Sequence, residues 1–175
     1  MNKIAFVLAC LACVAPASAQ SLGERTGVSA MIGIAPSTTD FITQATIGDM
    51  FGVEAGKLAL QRGNDKTKGF AEKIIKDHEE SAQALKALIT AGNVRASAPT
   101  AIDSSHQTIL DTLKGAQGDD FDKQYSDAQV SAQADALSLF ERYSKGGDHP
   151  DLKLFAAKRL RSLEERVRLA KDLKS

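Results

Sequence analysis

The stretch KTKGFAEKIIKDHEESAQALKALITA, residues Lys66 to Ala91, decides how this chain folds. Ala71, Ile75, His78, Ala82, Leu85 and Ile89 recur at steps of three or four, so they line one side of a helix while Lys, Glu and Gln take most other positions. The segment contains no proline, and Gly92-Asn93 stops it. A helix with one apolar side draws most of its stability from packing, and the flanking sequence supplies further helices to pack it against.

Upstream, the N-cap formers Ser37-Thr38-Thr39-Asp40 follow Pro36 and predict a first helix running to about Gln61, where Gly63-Asn64-Asp65 ends it. Phe41, Ala45, Gly48, Gly52, Ala55 and Ala59 form one stripe on it, with Ile47, Phe51, Glu54 and Leu58 beside them. Downstream, a short third helix is expected from Asp103 to Leu113 and a fourth from Asp119 to Tyr143, ending at Gly146-Gly147. The fifth begins at Asp148 or His149, with Pro150 in its first turn, and runs to Leu173.

Val130, Gln133, Leu137 and Phe140 mark the inner side of the fourth helix, and Ala156, Leu160, Leu163, Val167 and Ala170 that of the fifth. No run alternates apolar and polar residues, so strands are not expected. The connector from Asn93 to Gln117 exceeds what a helical hairpin needs and can carry the chain along a whole bundle. The expected fold is therefore all-α: a ferritin-like four-helix bundle over residues 37–173, with a long crossover that contains a short extra helix.

The first residues read as an export address. Lys3 supplies a positive n-region, Ile4 to Val14 an apolar h-region, and Ala17-Ser18-Ala19 a cleavage site, so residues 1–19 are expected to be removed between Ala19 and Gln20. Gln20 to Pro36 is rich in Gly, Ser and Ala and reads as a flexible tether. Both cysteines, Cys10 and Cys13, belong to the removed segment, leaving no thiol or disulfide; a lipoprotein reading of Val7 to Cys10 would leave too short an h-region. Export to the periplasm without a transmembrane anchor is the expected location.

Loss of Lys3 leaves 21 basic residues against 22 acidic ones, a net charge of −1. That balance, together with the absence of Trp, argues against nucleic acid as a partner. No G-x-S-x-G, H-E-x-x-H or phosphate-cradling glycine loop is present, so no reaction is assigned. Basic residues do gather on the last helix, at Lys158, Arg159, Arg161, Arg166, Arg168, Lys171 and Lys174. Interleaved Glu164, Glu165 and Asp172 make this a solvated face in the first instance and a membrane-surface module in the alternative.

Several short motifs add to this pattern. They are Asp40-Phe41, Glu54 followed by Gly56-Lys57-Leu58-Ala59, Phe70-Ala71 leading to Asp77-His78, Phe121-Asp122 with Tyr125, Leu139-Phe140, and Leu154-Phe155-Ala156. From Thr39 to about Leu173 the chain resembles the bacterial exported proteins grouped as domain of unknown function 4142, placed in the ferritin-like superfamily. The resemblance implies a helical bundle in the periplasm and no established reaction. It also implies histidines in the fourth and fifth helices where this chain has Gln133 and Arg166, so His78 alone of three remains.

Glu54, His78 and Gln133 thus stand where apolar residues belong, and Arg166, at the position where the resemblance implies a histidine, completes the core polar cluster. The expected arrangement is an ion pair between Glu54 and Arg166, with His78 and Gln133 completing its hydrogen bonds. A ferritin-like di-iron site needs Glu-x-x-His pairs, and the residue three before His78 is Ile75. No cofactor is expected; iron or manganese held by Glu54, His78 and water is the alternative. His106 and His149 lack ligand-spaced partners and read as surface residues. Partners are unassigned beyond an envelope component or a second copy of the chain.

Overall fold

The computed structural model describes residues 33–91, 94 and 96–175. The export signal, its Ala19/Gln20 cleavage point, the tether as far as residue 32, and the Gly92-Asn93 stop lie outside the described residues.

Five helices and no strand are found among the described residues: α1 (Thr38–Arg62), α2 (Asp65–Thr90), α3 (Ser104–Gly115), α4 (Gly118–Gly146) and α5 (Pro150–Asp172). Each start has a local cause. The side chains of Ser37, Asn64 and Asp103 accept from the backbone N–H groups of Asp40, Thr67 and His106, answering donors that no helical carbonyl can reach. Pro150 opens α5, where its missing N–H costs nothing. α4 begins without a side-chain cap, and continues three residues beyond the expected Tyr143 before Gly147 closes it.

Tight turns make antiparallel hairpins of α1–α2 and α4–α5, and the hairpins lie side by side. Asn64 at the end of α1 bonds Asp122 near the start of α4, while Thr38 at the start of α1 bonds Tyr143 near the end of α4. α1 and α4 are therefore antiparallel. Lys66 to the Asp172 carbonyl and Lys73 to Glu165 fix α2 against α5 in the same way. The four long helices run up, down, down and up, so the chain must return along the bundle between α2 and α4; α3 lies on that crossover and packs on α1 and α4. This is the bundle with one long crossover that the helix lengths and connectors imply.

Two apolar clusters fill the interior. At the end holding the start of α1, Phe41 stacks on Tyr143 with ring centroids 4.0 Å apart and meets Phe140 edge-on at 5.1 Å, with Leu85, Leu152 and Leu163 around them. At the other end Phe121 stacks on Tyr125 at 5.8 Å, and Phe51, Phe70, Ile74, Leu110 and Leu113 complete the cluster. The inner stripes differ in phase from the sequence reading. On α2 the buried residues are Ile74 and Ser81 rather than their neighbours Ile75 and Ala82, and on α5 Phe155 and Arg166 are buried while Leu160 and Val167 are only partly so. A period of 3.6 allows a step of three or four at each turn, and only the neighbouring helices choose between them. Among the described residues no helix is long and apolar enough to cross a membrane.

Candidate functional site

Between the two apolar clusters lies a polar layer to which every long helix contributes. Asp49 comes from α1, His78 from α2, Gln129 and Gln133 from α4 and Arg166 from α5, and all five are buried. The inter-helix contacts above set the register. Counting 1.5 Å per residue from Thr38–Tyr143, Gly52–His78 and Lys73–Glu165 puts Asp49, His78, Gln129 and Gln133 within about 6 Å of one another along the bundle and the Arg166 backbone about 9 Å beyond His78, a gap its long side chain crosses.

His78 is the hinge of the layer. Its Nδ1 is 2.8 Å from Oδ1 of Asp49, and its Nε2 is 3.5 Å from an Nη of Arg166, at the long limit of a hydrogen bond. A carboxylate only accepts and a guanidinium only donates. The imidazole must therefore carry its proton on Nδ1 and offer the Nε2 lone pair to Arg166, a neutral tautomer between two opposite charges. Burial pushes the His78 pKa below its usual value; the Asp49 hydrogen bond opposes this and the Arg166 charge reinforces it. Burial also lowers Arg166, to about 10 with Asp49 holding it up, which leaves the guanidinium charged at neutral pH.

The backbone makes room for this ring. A Cβ at Gly52 would stand 2.2 Å from Cδ2 and 2.3 Å from Nε2 of His78, so α1 presents bare backbone where the imidazole lies. One turn on, a Cβ at Gly56 would meet Cγ1 of Ile75 at 2.6 Å. The small residues of α1 bring α2 close, and the close approach seats His78 in the interior.

On α4, Nε2 of Gln133 donates to Oε1 of Gln129 at 3.0 Å. Asp49 Oδ2, Gln129 Nε2, Gln133 Oε1 and Arg166 Nε are buried without a side-chain or backbone partner. A buried polar atom left without any partner costs about 1–3 kcal/mol, which makes the filling of this layer matter to stability.

Three of the four residues singled out in the sequence, His78, Gln133 and Arg166, lie on this level. Glu54 does not. Its side chain is 49 % exposed and pairs with Lys57 at 2.7 Å on the outside of α1. The Glu54–Arg166 ion pair and the Glu54–His78 metal pair both need correction for this reason: three residues beyond Phe51, Glu54 falls just past the edge of the apolar face. The carboxylate in this layer is Asp49, four residues after Ala45, at a turn where the sequence reading steps three to Gly48. Gln129 was also missed, although it lies one turn before Gln133. Gln133 bonds Gln129 rather than completing the His78 bonds.

The remaining histidines stand apart. Nδ1 of His106 is 2.8 Å from Asp103, and its half-buried ring leans edge-on against Phe51 at 5.0 Å, so it is less of a surface residue than its sequence suggested. On α5, much of the basic charge is answered: Arg159 donates to the Asp77 carbonyl, Arg168 pairs with Asp172, and Lys174 pairs with Asp127. No three His, Cys, Asp or Glu side chains come together as a metal cage among the described residues.

Fold and layer define an all-helical bundle with one long crossover and a charged but internally paired centre. The chain belongs to the family described as "Domain of unknown function (DUF4142)", which it matches over residues 24–173. A similar solved structure is that of CopM in the Cu(II)-bound form: 19 % identical, TM-score 0.65, covering 79 % of this chain and 96 % of that one. At that identity the likeness concerns the fold. No curated protein matches the chain.

Proposed function

We propose that this protein is an exported, non-enzymatic binding bundle of the cell envelope, whose interior is a closed structural layer and whose ligands or partners meet its surface. The supporting observation is the occupation of the layer by Asp49, His78 and Arg166 together. Arginine offers no lone pair and its charge repels a cation, and both imidazole nitrogens of His78 are already engaged. The export element of the reading rests on the residues before Gln20. An accessory role in envelope stress, alone or as a homodimer, is the form this reading takes in the cell.

The test is metal analysis of the protein purified from the periplasm without chelators, for iron, manganese and copper, beside Asp49→Ala and His78→Ala variants. The expected result is metal far below one equivalent in each. About one equivalent or more in the parent protein, lost in both variants, would overturn the reading and make the layer a metal centre.

The Cu(II)-bound neighbour favours a second reading, copper binding at the surface. Imidazole and carboxylate suit Cu(II), and a part-exposed pairing of that kind is His106 of α3 with its N-cap residue Asp103. Calorimetric titration with Cu(II) of the parent protein and His106→Gln distinguishes them: micromolar binding lost in the variant supports copper, and no binding rejects it.

A further inference from the structure

We propose that the Asp49–His78–Arg166 chain is a proton-operated latch, in which one proton taken up at Nε2 of His78 ends the Arg166 contact and loosens the middle of the bundle. The inference is independent of what the surface binds. Nε2 is the atom that accepts from Arg166, so protonating it sets a donor against a donor with no acceptor between them. Asp49 cannot relieve this, because it already receives the Nδ1 proton on the other side of the ring.

The surrounding charges reinforce the effect. Facing His78 are one carboxylate, Asp49 of α1, and two guanidinium groups, Arg166 and Arg159 of α5. α4 brings only the uncharged amides of Gln129 and Gln133 to this level. On α2 itself, Asp77 acts on Arg166 from the neighbouring position. A proton on His78 therefore gives the buried layer an uncompensated positive charge. The displaced guanidinium has a destination in half-buried Asp77, whose attraction for it is already felt. The direction of the His78 shift, downward through burial first, agrees with this balance.

The loosening is local because of how the core is divided. The two apolar clusters share no residue, and the polar layer between them draws a buried side chain from each of the four long helices. α1 gives that level Asp49, between Gly48 and Gly52, which add no side chains of their own. Separation at the layer leaves Phe41–Tyr143 packing above and Phe121–Tyr125 packing below in place.

The experiment follows the imidazole resonances of the purified protein by NMR from about pH 7.5 to about pH 4.5, with amide exchange corrected for its intrinsic pH dependence. His106→Gln and His149→Gln variants assign the His78 signal. The expected result is a neutral Nδ1–H tautomer that titrates below the ordinary histidine value of 6.5. In that same window, exchange near residues 47–50 and 164–167 quickens by roughly tenfold or more while both clusters stay protected. His78→Gln removes the pH response. Titration at or above 6.5, quickening spread evenly over all helices, or an unchanged pH response in His78→Gln would each overturn the latch. The resonance and exchange measurements use the unaltered chain, so they stand even if His78→Gln does not fold.

Discussion

At the residue scale the molecule is governed by what stands opposite His78. Replacing Gly52 by Ala places a methyl group 2.2 Å from the ring, and the expected loss is about 1–3 kcal/mol by chemical denaturation. Gly48, with open space where its Cβ would go, behaves oppositely: Gly48→Ala is expected to gain about 0.5–1 kcal/mol, because an alanine loses less backbone freedom in a helix. Asp49 and Glu54 of α1 should separate as sharply. Asp49→Ala strands Arg166 without its counter-charge and costs about 3–5 kcal/mol, whereas Glu54→Ala removes a solvent-screened pair and stays within about 0.5 kcal/mol. A large loss in Glu54→Ala with a small one in Asp49→Ala would contradict the layer. Tyr125 offers a quieter check: its buried hydroxyl has no partner, so Tyr125→Phe should leave stability unchanged or slightly raised in the same assay.

At the element scale, helix limits were legible because they are written in local chemistry. Ser37, Asn64, Asp103 and Pro150 act within a turn of themselves, and the observed starts fall beside them. Asn64→Ala, which removes the acceptor for Thr67 N–H, is expected to lower the thermal midpoint by an amount equivalent to about 1 kcal/mol, while leaving the helical content of the folded protein unchanged by circular dichroism. The phase of each buried stripe was less legible. Ile74 against Ile75, Ser81 against Ala82 and Asp49 against Gly48 are one-residue choices that the composition of a single helix leaves open. The choice belongs to the neighbour: α1 offers His78 its Gly52, and that contact rotates both helices.

At the scale of the whole molecule, the buried layer makes stability depend on pH. The His78 pKa is lowered on folding, so the unfolded chain binds this proton first as the pH falls. Its contribution is complete above the unfolded value of 6.5 and is lost as pH descends from there toward the lower folded value. The slope cannot exceed about 1.4 kcal/mol per pH unit for one proton. Urea unfolding at a series of pH values should show stability rising with pH through this interval in the parent protein and flat in His78→Gln. A slope of the opposite sign would mean that Asp49 outweighs burial and the two guanidinium charges.

The amino-acid sequence by itself determined the helical class, the five helices of the described residues with most of their starts, and the long crossover, because periodicity, caps and connector length act over a few neighbouring residues. It also marked His78 and Gln133 as polar residues on inward-facing stripes, and the family resemblance marked Arg166. Only the tertiary structure decided that Asp49 rather than Glu54 joins them, and that the centre holds a neutral imidazole between two charges. That outcome turns on which of two adjacent residues faces inward and on how near α2 approaches α1, and both are settled by the packing of four helices together.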